Sequence, residues 1–365
     1  MKKYNNIKAT IAIAKASFRS IIRSPSAVVF SLAFPLIFIV VFANIGGGAV
    51  TVDVALAKTC DTSSANTLYQ SLKQIPIIHF VKNQSADEMA KNLSKGDLDA
   101  IIDIQKHDTA PYYTLNIKYT TASAQKDGVL KSLLDGMFFR INSKGNTVQQ
   151  PIAELKEATV HGRQYKYIDF LLPGMLGFSL LSSGVFGTAF VFLSLRLTLV
   201  IKRFFATPVK KYSIVLGEAI ARLIFSWIGA LFIILVGHYF FGFTLIHGVV
   251  TVINMLILSA LGLIVFMGFG FIISGIAKNE SSVPPLSNII TMPQFLLSGT
   301  FFAITVFPKW LQGISNILPL TYLNKAMRDV AFEGAGLGDV THDLLILGVW
   351  FIIVYAVAVK TFKWE

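Results

Sequence analysis

The 365-residue chain has a single cysteine, Cys60, which excludes an intramolecular disulfide framework and a thiolate zinc cluster. It is also poor in charge. Asp, Glu, Lys and Arg make up 14% of it, against about 25% in a soluble domain. No Gly-x-x-x-x-Gly-Lys-Ser/Thr loop occurs, so the chain has no phosphate cradle of its own. His-Glu-x-x-His, Gly-x-Ser-x-Gly and paired intramembrane carboxylates are missing too, which leaves an enzyme reading without support. His79, His107 and His161 stand apart from acids or cysteines at metal-ligand spacing, so no metal or cofactor site is expected in the chain. What is abundant is apolar: 54% hydrophobic residues, 30 Phe and a mean hydropathy of +0.63. Length alone would admit two or three soluble domains. The composition instead defines an integral membrane protein.

Charge-free runs locate the spans. Twenty-nine residues separate Arg23 from Asp53, 26 separate Asp169 from Arg196, 55 separate Arg222 from Lys278, and 28 separate Glu280 from Lys309. A final run of 16 lies between Asp343 and Lys360. A membrane helix needs about 20 residues, so the 55-residue run holds two, turning near Gly237–Gly242. Six helices are predicted, near 26–45, 168–194, 212–238, 248–276, 284–303 and 341–361. The first sits behind about 25 residues without a convincing small-residue cleavage site, and reads as an uncleaved anchor.

The basic residues are unevenly placed. Fourteen Lys and Arg fall before the first span, in the loops after the second and fourth, and after the sixth. The opposite short connections hold only Lys309, Lys325 and Arg328. By the positive-inside rule both termini are cytoplasmic. The net charge of +12 is therefore topological, and no nucleic-acid partner is expected.

Outside the spans, residues 1–24 hold a basic amphipathic helix over 7–22, with Ile7, Ile11, Ala14, Phe18 and Ile21 as its apolar stripe, suited to membrane lipids. Residues 47–166 form one extracytoplasmic domain. Strands are expected at 50–56, 77–81, 98–104 and 112–119, with helices at 86–93 and 122–141, so its class is small α/β. Residues 167–365 hold the other five spans. Between the last two, over 308–333, apolar stripes at Trp310, Leu311, Ile314, Ile317 and Leu318, then Leu320, Leu323, Met327 and Val330, flank Pro319. Helices this short and this apolar suit a re-entrant position. The fold class is thus an α-helical integral membrane protein of six spans with an interface helix, an outer α/β domain and re-entrant-type helices. One ion pair lies within a span: Glu218 and Arg222, at i,i+4 near the cytoplasmic end of the third.

Three stretches resemble the permease subunits of type-2 ABC exporters, the fold of the G- and A-type ABC exporters. They are Phe170-Leu171-Leu172-Pro173-Gly174, Lys202-Arg203-Phe204-Phe205-Ala206-Thr207-Pro208-Val209 with Leu216-Gly217, and Phe295-Leu296-Leu297-Ser298-Gly299-Thr300-Phe301-Phe302. The third continues through Phe307-Pro308-Lys309-Trp310-Leu311 to Leu318-Pro319-Leu320-Thr321-Tyr322 and Arg328. The chain departs from the family where Leu195–Ile201 lacks the usual upstream Glu and Gly, and where Ala303-Ile304 stand in place of a Pro.

The resemblance implies a separate cytoplasmic ATPase that binds ATP and Mg, and a second permease chain, identical or related. It also implies an inner-membrane setting of bacterial type. Segment 196–211 would couple to the ATPase, through Arg196, Lys202, Arg203, Thr207 and Pro208. Phe178, Phe186, Phe295 and Phe301 would line or gate the pathway, with Pro293 as a bend in the fifth span. The implied function is export of a hydrophobic or amphipathic compound such as a drug, lipid or peptide. The alternative is a mechanotransmission protein that moves its outer domain without translocating anything.

Overall fold

The computed structural model describes residues 5–24, 29–45, 52–63, 66–81, 84–120, 124–143, 152–160 and 166–362. In chain order, α1 (Asn6–Ile22) is followed by a π-helical turn (Val29–Ala33) that runs into α2 (Phe34–Ile45). Next come β1 (Val52–Leu56), α3 (Thr67–Lys73), β2 (Ile78–Val81), α4 (Ala86–Lys95), β3 (Ala100–Lys106), β4 (Tyr113–Thr120), α5 (Ala124–Ser143) and β5 (Ala153–Val160). The remainder is helical: α6 (Tyr167–Leu197), α7 (Val200–Phe205), α8 (Lys211–Phe241), α9 (Val249–Ile276), α10 (Val283–Leu297), α11 (Lys309–Ser315), α12 (Pro319–Arg328) and α13 (Thr341–Thr361). The chain divides into two compact units, Gly47–Lys166 on the one hand and Met1–Gly46 with Tyr167–Glu365 on the other.

The smaller unit is built on a five-stranded sheet in the order β2-β1-β3-β4-β5. β3 and β4 are antiparallel, and the other neighbours are parallel. Strand alternation turns Ala100, Ile102 and Ile104 of β3 and Leu115, Ile117 and Tyr119 of β4 to one buried face. There they meet Leu68 and Leu72 of α3 and Leu130, Leu134 and Phe138 of α5, spaced one helical turn apart. Met89 and Leu93 of α4 pack with Ala55 and Leu98 in a separate cluster.

The ends of α4 are set locally. Ser85 and Glu88 form a capping box, and Gly96 closes the helix at φ 82°, where a side chain would be strained. Asp99 explains why β3 starts at Ala100. Its buried carboxylate accepts the Asp53 amide at 2.8 Å and Lys126 Nζ at 3.0 Å, replacing a backbone partner. α3 and β5 were not among the expected elements. β5 carries Glu154, Lys156 and Glu157 on a largely uncovered edge, where charges deter pairing with other chains and hide the strand's pattern.

Among the described residues of the larger unit, four helices are long and apolar enough to cross a membrane: α6, α8, α9 and α13. α9 is the most enclosed, with 67% of its apolar window buried, and α13 the least, with 17%. Small residues let α6 and α9 approach closely. A Cβ on Gly270 would stand 2.6 Å from Thr188 Cβ and 2.7 Å from the Val185 carbonyl. The first expected span, 26–45, is described from Val29, and residues 25–28 lie outside the described residues.

Two expectations need correction. The fifth helix was expected over 284–303, but α10 stops at Leu297, because Gly299 turns the backbone at φ 68°. Its fifteen residues reach about 22 Å at 1.5 Å per residue, short of a hydrocarbon core of about 30 Å. On α1 the apolar stripe does not act as one face. Thr10 and Ala14 are buried, while Ile7 and Ile11 are 71% and 60% exposed. The helix is held instead by α8, where Gly217 admits Ile13 and the Thr10 carbonyl.

Candidate functional site

The link from α6 to α8 carries the residues expected to meet a partner. Leu199 adopts φ 58°, left-handed and uncommon for a branched side chain, which ends α6 and lets the short α7 begin in a new direction. Lys202, Arg203, Thr207 and Pro208 are exposed. Arg196 differs from these four. Its guanidinium donates to the Gly275 carbonyl at 3.5 Å and the Ala277 carbonyl at 2.5 Å. Those carbonyls close the C-terminus of α9, where helical partners run out. Arg196 therefore braces α6 against α9.

Glu218 and Arg222 lie deep in the bundle. Arg222 Nη2 stands 2.8 Å from Glu218 Oε1, with side chains 5% and 3% exposed. What holds the pair is a feature of α6. Ser183–Gly187 is a π-helical turn, and such a turn disturbs the carbonyl ladder. Arg222 reaches across and donates to the Ser183 carbonyl at 3.2 Å and to the Gly187 carbonyl. Gly187 leaves room for this contact, because a Cβ there would lie 1.8 Å from Arg222 Nη1 and the guanidinium would have to shift. The pair was read as lying near a helix end, and burial comes from the partner helix, which i,i+4 spacing does not reveal.

The expected pathway aromatics largely converge. Phe178 and Phe295 have ring centroids 4.0 Å apart, and Phe295 and Phe301 4.9 Å. Phe34, Phe38 and Phe42, one turn apart on α2, close over them. Phe34 lies 5.4 Å from Phe178, and both Phe38 and Phe42 lie 5.5 Å from Phe301. Phe186 stands elsewhere, in the π turn of α6. Pro293 lies inside α10, where it leaves the Ile289 carbonyl without its helical N–H donor.

The break after α10 is clamped by α12. Asn324 Nδ2 donates to the Ser298 carbonyl at 3.1 Å, and Arg328, one turn on, donates to the Gly299 carbonyl and to Phe170 O at 3.0 Å. The Arg328 guanidinium also lies 3.6 Å from the centre of the Phe170 ring. Tyr167 donates its hydroxyl to the Phe301 carbonyl at 2.8 Å. Gly174 on α6 lets the turn approach, since a Cβ there would stand 2.7 Å from the Thr300 carbonyl. Non-helical backbone inside an apolar bundle needs such internal partners. Asn324 was missed by sequence reasoning. Its signal was an amide one turn from Arg328, in line with the buried Leu320 of the same short amphipathic helix.

Long apolar helices, a buried ion pair and a protein-satisfied helix break define a polytopic membrane protein whose few buried polar groups sit in an apolar bundle. The chain matches the ABC-2 family transporter protein family over residues 25–360 and belongs to it. It is 25% identical to ABC transporter G family member 20 of Dictyostelium discoideum across 98% of its own length, and spans about half (51%) of that longer protein. It is 24% identical to the inner membrane transport permease YadH of Escherichia coli, covering 60% of this chain and 80% of that one. The linearmycin resistance permease protein LnrN of Bacillus subtilis is 23% identical over 51% of this chain and 48% of its own. The family comprises transporter permeases, which are not themselves ATPases and normally work with ATPase subunits.

Proposed function

We propose that the chain is the transmembrane subunit of an ATP-binding-cassette exporter. The match to the family over 25–360 carries this reading, and the exposed Lys202–Pro208 link is its mechanical counterpart. Two permease chains surround the pathway, and cytoplasmic ATPase subunits bind ATP and Mg. Lys202, Arg203, Thr207 and Pro208 touch the ATPase, while Arg196 passes its motion to α9. Both termini face the cytoplasm, six segments enter the bilayer with α10 completing its passage only through the break that follows it, and the unit 47–166 stands outside.

The cargo is a hydrophobic or amphipathic compound, because the residues at the break are aromatic and uncharged apart from the occupied Arg328. The Phe38–Phe295–Phe301 cluster acts as the gate. Purification from native membranes in mild detergent is expected to bring down a protein with a phosphate-binding loop, in stoichiometric amount. Recovery of the chain with no such ATPase would remove the proposed energy source.

A further inference from the structure

α10 has two unlike faces. Ile289, Met292 and Leu296 are 70%, 45% and 57% exposed and apolar, as lipid or a neighbouring chain requires. The inward face carries Ser287, Thr291, Gln294 and Ser298, each no more than 3% exposed. Ser287, Thr291 and Gln294, four and three residues apart, stand in one line along about 10 Å of helix, and Ser298 caps its C-terminal end. This face packs on the π turn of α6, on α9 and on α12. Gln294 Nε2 donates to the Ile290 carbonyl at 3.3 Å, but among the described residues none of Ser287 Oγ, Thr291 Oγ1, Gln294 Oε1 and Ser298 Oγ has a hydrogen-bond partner. Asn324 Oδ1, on α12, is in the same position. Four such atoms along one helix face and its cap are a pattern, since a folded protein ordinarily pairs its buried polar groups.

We infer that the inward face of α10 is a wettable crevice, closed in this conformation, that binds water and other small neutral hydrogen-bonding molecules when α10 separates from α6, α9 and α12. The closed state leaves four groups desolvated and unpaired, and the separated state hydrates them. The face thus biases α10 towards opening. Nothing on it is charged, so it offers hydroxyl and amide groups rather than an ion site. Two features bear on that movement. Pro293 weakens the backbone ladder of α10, and the bonds of Asn324 and Arg328 to the Ser298 and Gly299 carbonyls must be released for it to part from α12. The crevice belongs to one protomer and does not depend on the exporter reading.

The test compares the full-length chain in nanodiscs with its Ser287→Ala/Thr291→Val variant, by amide hydrogen exchange across 283–297. An unpaired buried hydroxyl penalises only the closed state, so removing each should slow exchange of α10 at least about fivefold, with α9 and α13 unchanged. Faster or unchanged exchange would overturn the inference, because the hydroxyls would then already be satisfied. As a second measurement, Gln294→Cys should react with N-ethylmaleimide, and more slowly in the Ser287→Ala/Thr291→Val background. A Gln294→Cys thiol that never reacts, in a chain whose Cys60 has been replaced by Ser, would also overturn it.

Discussion

Replacing Arg222 with methionine removes the cation from a pair whose side chains are 5% and 3% exposed. It leaves Glu218 as a buried, uncompensated charge, and it strips the Ser183 and Gly187 carbonyls of their cross-helix donor. Breaking a buried pair from one side costs about 3–5 kcal/mol. Glu218→Leu should cost a similar amount, for it strands the guanidinium, although the carbonyls keep their donor. The double variant removes both charges and leaves no ion to desolvate. Its loss should fall short of the sum of the singles by about 0.5–3 kcal/mol, the range of coupling found for residues in contact. Reversible unfolding of the full chain in mixed micelles with SDS, followed by circular dichroism, gives the four free energies of this cycle. Gly187→Ala is an independent perturbation of the same contact. Its Cβ would force Nη1 away from a point 1.8 Å distant, so it should destabilise with both charges still present. Singles that add to within about 0.5 kcal/mol, with a neutral Gly187→Ala, would refute the idea that Arg222 holds the π turn.

Three further outcomes are expected. Gly174→Ala places a Cβ 2.7 Å from the Thr300 carbonyl and 2.9 Å from its Cα, so the turn must shift at a cost of about 1–3 kcal/mol, while Gly128→Ala, with nothing within 4 Å, should be neutral or stabilising in the same titration. Hydrogen bonds from the Ser85 backbone amide and hydroxyl hold the Glu88 carboxyl below its ordinary range, so its contribution is complete above that range and lost as pH falls through the lowered folded value. Acidification should therefore lower the protection of amides in the first turn of α4 relative to their intrinsic exchange rates at each pH, and Glu88→Gln should flatten that dependence. Pro293→Ala restores a backbone donor within α10, and should alter transport while leaving association with the ATPase intact.

The family and the long spans were legible in the sequence for physical reasons. α6, α8, α9 and α13 each coincide with a charge-free run, because a helix in hydrocarbon admits few ions. The motif Phe295–Phe302 pointed to a stretch that the structure shows to be the helix break and its aromatic cluster. The π turn was hidden, since Ser183-Gly184-Val185-Phe186-Gly187 reads like any small-residue stretch and the turn depends on a guanidinium from another helix. Burial of Glu218 was hidden for the same reason. The early stop of α10 could have been suspected at Gly299, but its tolerance rests on Asn324 and Arg328, more than twenty residues further on. The bonds of Arg196 to the Gly275 and Ala277 carbonyls were hidden as well, because the end of α9 lies about eighty residues further along the chain.

The exporter-subunit assignment turns on what the exposed link between α6 and α8 touches. A photo-crosslinking amino acid placed at Arg203 in the full-length chain, activated in native membranes and analysed by mass spectrometry, tests it directly. The expected product joins this chain to an ABC ATPase, while the same probe at Ile352, 67% exposed on α13, yields no such product. Products at Arg203 limited to lipid, or the same pattern from both positions, would contradict the assignment.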